Sequence, residues 1–282
     1  MGHRIDGAFT TARLVTLVAV AGLTTASALG PIACTSGTTN TSGIGGEEGG
    51  VTVDPPIEDA SVVTPKDAAP FDAGPNPLPG CAVDPGPPAI TVDANASADP
   101  TGGAAAFTLD KAMAGYPAGA GKLTAAIVTE MGIIKCELSE AAAPASVANF
   151  VGLARGTRPF KDPNGKWKVG RFYDGLVWHR VIPNFVIQGG DPDGDGTGGP
   201  GFDLIKENQI AEPLGTLAQA AAAQPSGSQF YVVVGTGPAP NYNVFGTCST
   251  DVAIAIAAVE TGRGDVPKVP VHMQRVAIAR CP

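Results

Sequence analysis

Glycine and proline are crowded into one part of this chain, and that crowding limits where a packed core can form. Residues 35–118 hold twelve Gly and twelve Pro in 84 positions, about 29%, with Phe71, Phe107 and Tyr116 as their only aromatics. A stretch of that composition buries too little apolar surface to offset the entropy of ordering its backbone. Residues 35–106 are therefore expected to be a disordered spacer, flexible from Thr35 to Gly50 and stiffer, more extended, from Pro75 to Pro88. Charge follows the same boundary. Residues 35–118 carry two Lys against eleven acidic residues, a net −9, whereas 119–282 carry fourteen of each sign. A neutral C-terminal part offers no phosphate-binding surface, so nucleic acid is excluded as a partner. Thr108 is placed to cap a short helix through Met113, ended by Gly115 and Pro117, so the folded domain is expected over 107–282.

From Leu123 the pattern becomes that of a β protein. Leu123–Val128 and Gly132–Leu138 read as strands joined by a tight turn at Glu130-Met131-Gly132. Pro144 opens a helix with Val147, Phe150, Val151 and Ala154 at helical spacing, closed by Gly156. Short strands follow at Val177–Ile182, Phe185–Gln188, Phe230–Val234 and Val244–Thr247. A second helix runs from a Thr250/Asp251 cap to Val259, and Val271–Ala279 gives a last strand. Many short strands with two isolated helices predict a mainly β fold, a closed antiparallel barrel with helices over its open ends.

Residues 1–34 read as an export signal. Arg4 and Arg13 form a basic start, and Leu14–Leu29 is an uncharged apolar stretch, short for a bilayer-spanning helix, which needs about 20 residues. Gly30-Pro31-Ile32-Ala33-Cys34 resembles a bacterial lipobox, with Pro31 where Leu is usual. Lipidation at Cys34 implies an exported protein of the bacterial envelope, periplasmic and attached to membrane only through that anchor. Ordinary cleavage near Ala26–Ala33, leaving Cys34 a thiol, is the competing reading. Cys81, Cys136, Cys248 and Cys281 remain, enough for two disulfides in an oxidising compartment. Four cysteines allow three connectivities. Cys248 and Cys281 each end a strand, which favours that pair.

One long block carries a resemblance. Phe172-Tyr173-Asp174-Gly175-Leu176-Val177-Trp178-His179-Arg180-Val181-Ile182-Pro183-Asn184-Phe185-Val186-Ile187-Gln188-Gly189-Gly190-Asp191-Pro192 is similar to the signature of the cyclophilins, peptidyl-prolyl isomerases that bind cyclosporin. Val147–Ala154 before it, and Gly227–Val232 and Val244-Phe245-Gly246 after it, fall in the family's order. The resemblance implies an eight-stranded antiparallel barrel capped by two helices. It also implies a monomer without cofactor that acts on proline-containing polypeptides.

Rotation about an X–Pro bond faces a barrier of about 20 kcal/mol because the amide must give up its resonance. No bond is made or broken, so what helps is a pocket for the ring and a donor aimed at the twisted amide. By resemblance Arg180 is that donor, with Gln188 beside it in the catalytic set. Phe185, Val186, Ala220, Ala222, Gln229, Tyr231, Pro238 and Tyr242 bind substrate; Gln188 and Gln229 would hold its backbone and steady the arginine. Several positions depart from the family. Val186 stands where Met is usual, Tyr231 where Phe is usual, and Leu217–Ala223 where eukaryotic relatives carry Met-Ala-Asn-Ala. Gly235–Asn241 is short and lacks the tryptophan of cyclosporin-sensitive members, which leaves Pro238 and Tyr242 as rim residues. The altered Ala220–Ala223 segment supports an alternative, a catalytically weak module that binds proline-containing segments as a chaperone or scaffold.

No metal is expected. His179 neighbours Arg180 in a strand, so the two point to opposite faces and His179 is read as structural; His3 and His272 are isolated. The Asp191-Pro192-Asp193-Gly194-Asp195-Gly196 run has an EF-hand start, but Phe202 stands where that loop needs a bidentate Glu.

Overall fold

The computed structural model describes residues 76–82 and 84–282. The expected export signal and Cys34 lie outside the described residues. A four-residue helix α1 (Leu109–Ala112) precedes strands β1 (Lys122–Thr129) and β2 (Gly132–Leu138), then helix α2 (Pro144–Arg155). Short strands β3 (Phe160–Lys161), β4 (Trp167–Lys168), β5 (Leu176–Val177), β6 (Arg180–Val181) and β7 (Val186–Gly189) follow. Longer strands β8 (Thr216–Ala221), β9 (Pro225–Val233) and β10 (Val244–Cys248) lead to helix α3 (Asp251–Ala257), and β11 (His272–Met273) and β12 (Arg275–Cys281) finish the order.

Eight strands form one antiparallel sheet in the order β12-β1-β2-β10-β8-β9-β7-β6. Its two edges are drawn together by the strands that lead into them: β5, just before β6, pairs with β11, just before β12. The inner side is filled by Leu123, Ile127, Ile134, Val181, Ile187, Leu217, Phe230, Val232 and Phe245 with α2 laid over one end. Phe150 of α2 is the pin, its ring 5.1 Å from Tyr173 and 5.3 Å from both Phe230 and Phe245. Pro144 opens α2 as expected, but its free N–H groups are capped from afar. The Glu207 carboxylate accepts from the Ala145 and Ser146 N–H groups at 2.7 and 2.8 Å. An anion there also suits the positive end of the helix dipole.

The expected spacer differs from what the structure holds. From residue 76 the chain is an irregular arm laid against the domain rather than a free coil. Leu78, 3% exposed, packs on Ala126, Ala277 and Ala279. This explains why β1 is buried on both faces instead of alternating. Further along, Asp84 grips Arg155 through Nε and Nη2 at 2.9 and 2.8 Å. Asp99 meets Arg158 at 3.2 Å, and the Ala96 carbonyl accepts from Trp167 Nε1. Both guanidiniums are wholly buried. Counting apolar residues missed this segment because ion pairs, not an apolar core of its own, hold it.

A disulfide adds to them. Cys81 is bonded to Cys281, and Cys136 to Cys248. The expected Cys248–Cys281 pairing is therefore wrong. Cys248 stands directly opposite Cys136 in the β2–β10 ladder, with Cα atoms 3.9 Å apart, and Cys281 meets the arm. Among the described residues no helix is long and apolar enough to cross a membrane.

Candidate active site

Strand register builds the site. Arg180 of β6 lies opposite Gln188 of β7, Gln188 opposite Tyr231 of β9, Tyr231 opposite Ala218 of β8, and Ala218 opposite Val244 of β10. Directly opposed residues share a face of a sheet, and so do residues two apart along one strand. One face therefore carries a row from a guanidinium to an apolar patch. Val186 and Val233 lie opposite each other one step along it. Val186, Ala218, Tyr231, Val233 and Val244 form a cluster separate from the main core, with Phe185, Ala220 and Tyr242 packed on it. Tyr242 stands edge-on to Tyr231, ring centres 5.5 Å apart.

The polar members are fixed by a short network. Gln188 Nε2 donates to Gln229 Oε1 at 3.0 Å, and Gln229 Nε2 donates to the Gly196 and Gly198 carbonyls at 3.0 and 2.8 Å. The Asp-rich loop is thus tied to the cleft. Asp191 organises its turn by accepting the N–H groups of Asp193, Asp195 and Gly196. Arg180 forms an ion pair with Asp265, Oδ2 3.6 Å from Nε, and the glutamine side chains expected to steady it bond to each other and to the Gly196 and Gly198 carbonyls instead. His179 is 4% exposed, and burial lowers its pKa, which keeps the ring neutral at neutral pH.

Of the expected residues, Phe185, Val186, Ala220, Tyr231 and Tyr242 gather in the cluster, with Arg180, Gln188 and Gln229 in line beside it. Two lie apart. Ala222 is exposed in the turn beyond the Ala221–Pro225 pair, and Pro238 is half-buried in the loop before Tyr242. Ala218, Val233 and Val244 were not foreseen, although strand alternation around Tyr231 points to Val233. Glu212 was not foreseen either. Its Oε2 accepts the Tyr231 hydroxyl, and its Oε1 has no partner although the residue is 5% exposed. Burial raises the Glu212 pKa, against the lowering effect of the Tyr231 hydrogen bond; Tyr231 is raised by burial and by Glu212.

A guanidinium on the same sheet face as an apolar cluster can meet a twisted amide whose proline ring lies on that cluster. The sequence profile that matches this chain, over residues 124–278, is described as "Cyclophilin type peptidyl-prolyl cis-trans isomerase/CLD". The chain belongs to the cyclophilins. Peptidyl-prolyl cis-trans isomerase A of Mycobacterium tuberculosis is 40% identical over 167 residues, 55% of this chain and 92% of that protein. Peptidyl-prolyl cis-trans isomerase B of Streptomyces anulatus is 38% identical over 172 residues, 56% of this chain and 97% of its own. A solved cyclophilin-type isomerase of Cryptosporidium parvum, determined in the presence of the dipeptide Ala-Pro, aligns with TM-score 0.47. It is 24% identical and covers 55% of this chain and 98% of its own. This cyclophilin is thus a peptidyl-prolyl cis-trans isomerase with a mainly β fold.

Proposed function

We propose that this cyclophilin speeds X–Pro rotation in exported proteins, seating the ring on the Val186–Tyr231–Val244 patch and donating from Arg180 to the twisted amide. The register row carries the reading: it sets the guanidinium on the same face as the patch, with Gln188 between them. As the amide rotates, its nitrogen regains a lone pair, and an arginine that is always charged is a donor for it. Gln188 and Gln229, already joined, hold the substrate backbone. Two disulfides support an oxidising compartment and hence export, with Cys34 as a lipid anchor. Clients are proline-containing polypeptides, bound by a monomer.

Protease-coupled isomerisation of a short Ala-Pro peptide is the test. Removing one preorganised charged donor costs about 10²–10³ in turnover, so Arg180→Ala should lose that much while keeping its folded spectrum. Arg180→Lys should also be poor, since an ammonium cannot replace the planar fork. A folded Arg180→Ala protein with full activity assigns the donor elsewhere. Wild-type protein no faster than buffer would leave a binding module.

A further inference from the structure

The loop after α3 lies outside the row, yet its tip touches Arg180. From Glu260 to Lys268 the chain folds back on itself. The Lys268 N–H donates to the Glu260 carbonyl and the Gly262 N–H to the Val266 carbonyl, each at 2.8 Å. Thr261 bridges Pro267 between them, and Lys268 Nζ pairs with the Glu260 carboxylate across the ladder. At the tip, Arg263-Gly264-Asp265, two successive residues are left-handed, Gly264 at φ 76° and Asp265 at φ 63°. Asn184 is the other non-glycine residue with positive φ among the described residues. A left-handed Asp is strained backbone that its surroundings must hold, and such positions gather where a side chain has to be aimed. Asp265 is aimed at Arg180.

We propose that Asp265 is a positioning residue for the isomerase reaction, holding the Nε edge of Arg180 so that the two terminal nitrogens face the substrate amide. This rests on the reading of Arg180 as donor. Arg180 sits on a two-residue strand with its side chain 39% exposed, so its long stem has freedom that sheet packing does not remove. A guanidinium presents its N–H groups along separate edges of one plane. A carboxylate 3.6 Å from Nε, beyond hydrogen-bond distance, therefore draws that edge of the plane toward it by charge without occupying the opposite edge. An ion pair this exposed adds little to folding, so orientation is what remains for Asp265 to supply.

The test is Asp265→Asn in the full chain. Asn tolerates the left-handed conformation, so the tip survives while the charge goes. Small misplacement of a reacting group is costly, and about tenfold is expected off kcat on an Ala-Pro peptide, with KM within about twofold. On an Arg180→Ala background the same change should have no further effect. Equal loss on both backgrounds means Asp265 acts through something else, and an unchanged kcat in the single variant overturns the proposal. A fully active Arg180→Ala protein would instead remove the donor reading beneath it. Ionic strength gives a separate readout, because an exposed pair is screened by salt. The kcat of the wild type should fall toward that of Asp265→Asn as salt rises, and parallel salt curves would count against the pair.

Discussion

Glu212 shows what a single residue can add beside an otherwise apolar cluster. Its carboxyl accepts the Tyr231 hydroxyl through one oxygen and is unpartnered at the other. Burial raises its pKa, so the folded protein holds a proton there more readily than the unfolded chain. The linkage follows. Stability from this group is greatest below the unfolded carboxyl value, about 4.3, and is lost as pH rises through the raised one. Glu212→Gln keeps an acceptor for the tyrosine and removes the titration. In urea unfolding followed from pH 4 upward, the variant should gain on the wild type as pH rises; curves that stay parallel would show that Glu212 does not titrate differently on folding. Arg180, Phe185, Val186 and Gln188 are legible in the sequence because they lie within the one contiguous block that resembles the cyclophilin signature. Glu212 and Asp265 reach the site from other loops, and no periodicity marks them.

At the scale of elements, the clearest dependence is that of α2 on the arm. Arg155, at the last turn of α2, is buried with Asp84 on one side and the Ala112 carbonyl, 2.7 Å from Nη1, on the other. Burial alone would raise the Asp84 pKa, but the hydrogen bonds and charge of Arg155 outweigh it and the pKa is lowered. Its stabilisation is therefore present above the unfolded value, about 3.9, and lost as pH falls. Asp84→Ala strands a buried guanidinium and should cost about 3–5 kcal/mol at neutral pH, the gap narrowing in acid. A loss under about 1 kcal/mol at neutral pH in urea titrations would mean the arm is dispensable. Helix α2 is legible because Pro144, the spacing of its apolar residues and Gly156 are all local. Strand β8 is not. Thr216–Ala221 is alanine-rich and suits a helix by propensity, yet it is a strand because β9 and β10 pair with it on both sides.

Across the described residues from 76 onward, one eight-stranded antiparallel sheet carries the proposed site on one face, and the arm packs on β1 and β12. The proposed envelope attachment is tested at this scale. Cys34→Ser should move the protein from the membrane to the soluble envelope fraction with isomerase activity intact, whereas a variant that stays membrane-bound would point to the uncleaved apolar segment as the anchor. The arm matters to such an attachment in a mechanical way. A pull entering the domain along the residues before Cys81 can strip Leu78 from its alanines, and there it meets a covalent stop. Beyond that point the load divides between the arm and the end of β12, because the sulfur bridge joins positions 200 residues apart in sequence. The ion pairs at Asp84 and Asp99 lie behind that stop and cannot be peeled open in turn. Reduction of the one bridge would turn the stop into a ripcord.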